Sequence, residues 1–475
     1  MATTYTNTTC LVLCALLIAC LARHANHRER DAAGWLTNLV RWCSRSRLLC
    51  AVLLAGGAVG ISSHVLVGYL GPGDLFQDFV GAKEFAAGRS INPTATMKDR
   101  VEYWLRQEPL VLPAALDWPV LRKLQVDSVN SGARQLVVQA HPPFHILLVF
   151  PIVELCKTIQ RTYLVMTSIN LASYAALLFL LWRSMPAAVH SAGAGVLLCI
   201  LALDWQPLLA NLRQGQIGIV VALLVVGGWY SLSRDRPGTA GVLIGLAALI
   251  KMFPGLLILW LLARSRRAFL AALATICGAV LLVYLLAGPS AFLDFVSAAR
   301  TIGKEFGRSR FNYSLSAVLS YAIAGSSDRS LWATAVVLLA VAALACYSAF
   351  FVLRKARPSK WDLQLEFSTL IVLACLVSPT CEAFYYPILL LPMVTLAGTV
   401  QPGNLWRACL GLSAVLLCLS VPDQVIWRPT QYLTPLLGDR LAWVLCSFPT
   451  FAILGMWYWT VRQQRVEQIS GLSGV

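Results

Sequence analysis

The sequence predicts an all-α, polytopic membrane protein, and three observations predict it: composition, recurring apolar runs of spanning length, and the placement of the basic residues. Of 475 residues, 58% are hydrophobic and only 13% charged, well outside the usage of water-soluble domains. Apolar runs recur from Leu48 to the C-terminus, and no stretch of soluble-domain size separates them beyond residue 160. One membrane domain is the simplest count. The formal net charge is +16, but Lys and Arg stand in short clusters between the apolar runs. That distribution orients helices in a bilayer and argues against nucleic acid as a partner.

The clusters Arg23–Arg30, Arg41–Arg47, Arg183, Arg234–Arg236, Arg264–Arg267, Arg354–Lys360, Arg407 and Arg462–Arg465 all fall in the cytoplasm under one topology. The spans it predicts are 9–22, 48–70, 162–182, 188–205, 216–232, 238–251, 254–264, 268–287, 331–353, 363–380, 385–400, 405–421 and 441–460. The chain then divides into an N-terminal extra helix with a basic cytoplasmic segment (1–47), a membrane domain (48–461) and a cytoplasmic tail (462–475). Thr9–Ala22 lacks the basic start of a secretory signal, so it is expected to stay as an uncleaved helix.

Segments 71–161 and 288–330 are expected outside the membrane on the outer face. In the first, His141-Pro142-Pro143 opens the apolar stretch Phe144–Cys156, too short to cross and read as a helix lying in the interface. The pair 238–251 and 254–264 is interrupted by Lys251-Met252-Phe253-Pro254. It predicts a bent hairpin whose irregular backbone lines a cavity. The fourteen cysteines sit mostly in apolar spans, and no CxxC or HExxH spacing supports a metal.

Polar residues at the outer helix ends carry the functional reading. Asp78, in Asp74-Leu75-Phe76-Gln77-Asp78-Phe79, is either a solvated loop acid or a desolvated base with a raised pKa. In Asn211-Leu212-Arg213-Gln214-Gly215-Gln216, backbone N–H groups, the amides of Gln214 and Gln216, and Arg213 could form an anion site; a plain helix cap with a snorkelling Arg fits the same residues. Lys251 lies between two apolar segments, where a lysine marks function by default, or else snorkels to the headgroups. Arg308-Ser309-Arg310-Phe311-Asn312-Tyr313-Ser314-Leu315 and Ser378-Pro379-Thr380-Cys381-Glu382-Ala383-Phe384-Tyr385-Tyr386 put polar and aromatic groups on the same face. An aromatic belt would account for Tyr385 and Tyr386 equally well.

Together, the outer-loop Asp, the Pro-Pro pair, Gly-Gln, Gly-Leu-Ala…Lys…Pro, Asn-x-Ser-Leu and Ser-Pro resemble glycosyltransferase family 87 of the GT-C superfamily, the polyprenyl-phosphate-mannose-dependent mannosyltransferases. The resemblance runs from about Leu48 to Thr460. It implies a GT-C fold of about 12–13 spans with juxtamembrane helices in the first outer loop, in a bacterial inner membrane. It implies a lipid-linked sugar donor, a glycolipid or glycan acceptor, no cofactor, and Asp78 as the base of an inverting transfer. Lys251, Arg213 and Arg310 would stabilise the leaving phosphate, and Gln216, His141 and Asn312 would orient donor or sugar.

One departure stands out. Family members often carry a His shortly after Ser-Pro, where this chain has Phe384 before Tyr385, leaving His141, His145 or Glu382 to take its part. A transporter or flippase of lipid-linked sugars would show inverted repeats and mid-membrane polar residues, and neither is evident. The third reading is an inactive scaffold of a surface-glycan pathway.

Overall fold

The computed structural model describes residues 47–71, 73–89, 97–107, 141–185, 205–305, 312–324, 331–354, 358–399, 405–420 and 423–472, with a few more between 110 and 126. The expected N-terminal helix 9–22 and most of span 188–205 lie outside them, as do Arg308 and Arg310. The described chain is all-α, with eighteen α-helices and no strand. It separates into two compact units, one of residues 61–176 and 209–305, the other of the remainder.

Several helices present apolar side chains outward in a way that water would penalise. Arg266–Ala287 leaves Leu285 70% exposed, and Leu331–Leu353 leaves Leu339 69% exposed. Such surfaces are at home against lipid. Three described helices, Ile159–Arg183, Arg266–Ala287 and Thr334–Leu353, are long and apolar enough to cross a bilayer. Six apolar helices of 10–17 residues accompany them. The expected span 441–460 is instead a broken pair, Thr430–Cys446 and Phe448–Gln464, bent by 44°. Pro449, without an N–H, sits just inside the second helix, so the ladder restarts after Ser447 rather than running through.

The 61–176/209–305 unit takes the end of α1 (Arg47–Leu70), then α2 (Leu75–Ala86), α3 (Met97–Gln107), α4 (Pro143–Cys156) and most of α5 (Ile159–Arg183). The end of α6 (Gln206–Gln214) follows, with α7 (Gly218–Ser233), α8 (Pro237–Ile250), α9 (Gly255–Arg264), α10 (Arg266–Ala287) and α11 (Ser290–Glu305). The described parts of the expected outer segments are thus largely helical. Helix α4 matches the predicted short apolar helix; at 14 residues it is about 21 Å long, less than a bilayer core. It packs against α2, α8, α10 and α11.

The α8–α9 pair is broken at Lys251–Pro254, as expected. Lys251 caps α8 in extended backbone (φ −137°, ψ 129°), and Pro254 caps α9. Glycine packing holds α8 against its neighbour. A Cβ on Gly241 would fall 2.0 Å from the Ala268 carbonyl oxygen, and one on Gly245 3.0 Å from that of Ala272, so α8 lies backbone-close on α10 in a small-xxx-small contact. Gly241→Val is expected to force the two helices apart, at about 1–3 kcal/mol for overpacking. A thermal midpoint in detergent several degrees below wild type checks this; an unchanged midpoint would mean the groove yields freely.

In the other unit, α12 (Leu315–Ala324), α13 (Leu331–Leu353) and α14 (Lys360–Val377) precede a 3₁₀ turn (Ala383–Leu389). Helices α15 (Leu390–Gly398), α16 (Leu405–Ser420), α17 (Asp423–Cys446) and α18 (Phe448–Leu472) complete it. Ser359 and Asp362 form a capping box at the start of α14, and α14 and α16 pack on α18.

Candidate active site

The site is built on α2 and α4. Trp104 Nε1 donates to Glu84 (2.9 Å), and Arg89 grips the same buried carboxylate with two nitrogens at 2.6 and 3.0 Å. This ties the end of α2 to α3. Phe85 of α2 meets Phe150 of α4 edge to face, 5.0 Å between centroids. With the C-terminal end of α2 fixed in this way, Asp78 in its first turn faces the start of α4. There Pro142 and Pro143 hold the backbone rigidly, extended at Pro142 and helical from Pro143. His141, just before them, and His145, one turn on, share a face.

The result is a carboxylate between two imidazoles. His141 Nδ1 lies 2.7 Å from Asp78 Oδ1, and His145 Nε2 lies 3.0 Å from Oδ2. The rings are 4.4 Å apart, and the three residues are 6%, 0% and 2% exposed for His141, His145 and Asp78. Burial works against the carboxylate, but the His141 and His145 imidazoles outweigh it and hold Asp78 well below the usual carboxylate range. This corrects the expected raised pKa: the desolvation is real, and its effect is reversed by neighbours the sequence did not place. Burial outweighs the pull of Asp78 at His145 and pushes that imidazole below its usual value.

A second chain of polar groups runs beside the first. Gln216 donates through Nε2 to Asp74 in a short hydrogen bond and accepts at Oε1 from Lys251 Nζ at 3.1 Å. Gln216 and Lys251 are buried. Lys251 therefore does not snorkel to the surface; it is turned onto the site. Its position next to Gln216 follows from the α8–α9 break.

The Gln214-Gly215-Gln216 turn differs from the expectation of free backbone donors. Gly215 takes a positive φ of 67°. Its N–H bonds to Leu212 O and that of Gln216 to Asn211 O, which closes α6 as a Schellman cap. Those N–H groups are spent on the helix end, so the Gln216 side chain, not its backbone, meets the site. Helix α5 braces the turn: Tyr163 Oη donates to Leu212 O and Asn170 Nδ2 to Gln216 O, both at 2.8 Å. Arg213 is exposed on this turn. Gln214 lies so near Gly73 that a Cβ there would come 1.8 Å from its Oε1.

Asn312, Glu382 and Tyr385 lie in the other unit. Asn312 is fully buried and works as a brace: Oδ1 accepts from Ser314 N (3.1 Å) and Cys381 N (2.9 Å), and Nδ2 donates to Pro379 O (2.8 Å). The Asn-x-Ser and Ser-Pro motifs are thereby joined. Glu382 caps the 3₁₀ turn, and Tyr385 Oη stands 3.4 Å from Thr380 Oγ1. Tyr386 is wholly buried, so it belongs to the core and not to an aromatic belt.

Asp78, His141 and His145 are also a group that could hold a metal ion, their ligand atoms lying within 4.8 Å of one another. No sequence spacing announced it. Two of the separations, 2.7 and 3.0 Å, are those of ion pairs; around tetrahedral zinc, donors stand about 3.3 Å apart. The arrangement as it stands is a buried acid–base cluster with its polar atoms at hydrogen-bonding distances, suited to moving a proton.

A buried acid–base cluster with a lysine beside it, carried on apolar helices, defines a membrane-embedded enzyme. The family model for glycosyltransferase family 87 matches residues 140–379, half of the chain, and the chain belongs to that family of glycosyltransferases. The match takes in His141, His145, Gln216, Lys251, Asn312 and Ser378-Pro379, while Asp74 and Asp78 precede it. No curated protein and no solved structure matches the chain.

Proposed function

We propose that the protein moves a sugar, mannose in the first instance, from a polyprenyl-phosphate donor to a lipid or glycan acceptor on the outer face of a bacterial inner membrane. The observation that carries this reading is the buried Asp78 carboxylate set between two imidazoles in a glycosyltransferase chain. The acceptor hydroxyl attacks the anomeric carbon as the bond to the phosphate oxygen breaks, and its proton passes to Asp78. The electron pair of the broken bond leaves on polyprenyl phosphate, and the anomeric centre inverts. A carboxylate of low basicity suffices, because the acceptor oxygen becomes strongly acidic once it bonds to carbon.

Charge on the departing phosphate is matched by Lys251, with Arg213 and Arg310 as further cations. His141 and Gln216 orient sugar or phosphate. The outer location is supported by α8 and α9: Arg234 and Arg236 precede α8 and Arg264 ends α9, while Lys251 marks the opposite end of both. Basic residues at one end favour the cytoplasm for that end.

The test is transfer by purified protein from radiolabelled polyprenyl-phosphate mannose to a membrane glycolipid extract, with the anomeric configuration of the product determined. Labelled, inverted product is expected. Inert behaviour towards mannose and every other polyprenyl-phosphate sugar would sink the reading. We further propose that transfer needs no metal, so prolonged chelator treatment is expected to leave the rate unchanged. Loss of activity restored by one divalent ion would instead make Asp78, His141 and His145 its ligands.

A further inference from the structure

Asp74 has no task in the transfer just described, yet it stands one helical turn before Asp78 and joins the same site. Its Oδ2 accepts from Gln216, Gln77 Nε2 approaches its Oδ1 at 3.4 Å, and Gln216 in turn accepts from Lys251. An amide bridges such a pair in one orientation, with its NH₂ towards an acceptor and its carbonyl towards a donor. The chain therefore reads as a carboxylate at one end and an ammonium at the other.

The two carboxylates hold different hydrogen-bonding partners. Asp78 is answered by the imidazoles of α4, and Asp74 by the Gln216 amide that Lys251 also holds, with His141 and Lys251 both close enough to act on its charge. A donor phosphate brings further negative charge beside these buried groups, where like charges repel far more strongly than in water. It needs Lys251, which Asp74 already engages.

We propose that Asp74 is the resident counter-charge of Lys251, holding the ammonium in place through the Gln216 amide, and that the phosphate of the lipid-linked donor takes its place. This rests on the reading of the protein as a transferase with a phosphate-linked donor. Asp74 is on this view a positioning residue: it keeps the buried lysine charged and aimed in the empty enzyme, and it weakens donor binding in return. Burial favours the protonated form of its carboxyl, and the Gln216 hydrogen bond and the nearby His141 and Lys251 work against that rise in the empty enzyme.

The experiment compares wild type with Asp74→Asn, which keeps the size and leaves an oxygen to accept from Gln216. Two readouts are taken: donor KM and kcat in transfer, and equilibrium binding of a radiolabelled polyprenyl phosphate to purified protein. The variant is expected to lower donor KM and tighten binding by about tenfold, with a smaller change in kcat. Purely structural damage would raise KM or lower kcat instead. Gln216→Leu cuts the bridge, and in that background Asp74→Asn is expected to shift binding by less than about twofold. Wild-type binding and transfer with no tightening in Asp74→Asn would overturn the counter-charge and leave the transferase intact. A wild type that neither binds polyprenyl phosphate nor transfers would remove the donor assignment and this proposal together.

Discussion

Asp78→Asn is expected to lower kcat for sugar transfer by about 10³-fold or more, since positioned bases contribute roughly 10²–10⁴ and an amide accepts no proton from the acceptor. Donor KM should change little, because Asp78 faces imidazoles and not Lys251. The substitution is close to isosteric, and His141 Nδ1 can still bond to the amide oxygen, so the folded fraction in detergent should match wild type. Equal folding with retained kcat would remove Asp78 from the role of base. A fall in donor affinity with kcat preserved would recast it as a binding group.

Replacing both imidazoles, as His141→Gln with His145→Gln, is expected to create an acid limb in the rate profile that the Asp78 carboxyl does not give wild type. In the native site the two rings keep Asp78 well below the usual carboxylate range, so it is ionised throughout the accessible pH range and contributes no acid limb. Without them burial prevails and the carboxyl rises above its ordinary value. Below that raised pKa the base is protonated and inert; above it the base is ionised. The variant's kcat should therefore climb with pH, lying about 10²-fold below wild type near neutrality and recovering in alkaline buffer. A flat profile at a uniformly low rate would mean that the rings act on substrate and not on Asp78.

Much of the architecture was legible because membranes impose a plain code. The broken α8–α9 pair could be read from Lys251-Met252-Phe253-Pro254 alone, since a proline and a charge inside an apolar run leave few alternatives. The companions of Asp78 were harder. His141 and His145 stand four apart at the mouth of a Pro-Pro helix, and Asp74 and Asp78 four apart on another, so each pair shares a face. That the two faces meet is tertiary information, and with it came the sign of the Asp78 shift. Gly215 shows the opposite limitation. A glycine between two short helices serves as the end of one or the start of the next, and only backbone φ decided for the end of α6. Asn312 looked like a ligand-facing amide because its hydrogen-bonding partners, Cys381 and Pro379, lie 69 and 67 residues away.

The span in sequence between these partners has a meaning for how the protein is made. Asp78 leaves the ribosome 63 residues ahead of His141, and Asp74 precedes Gln216 by 142, with Lys251 a further 35 behind. The acids are synthesised first, and every base that answers them comes later. During insertion the segment that carries them is expected to keep both carboxylates solvated until the α8–α9 hairpin has been delivered. A nascent chain arrested before Lys251 would hold the Asp78–His pair and the Gln216 amide without the ammonium that this amide links to Asp74, an electrically incomplete intermediate for membrane quality control to recognise.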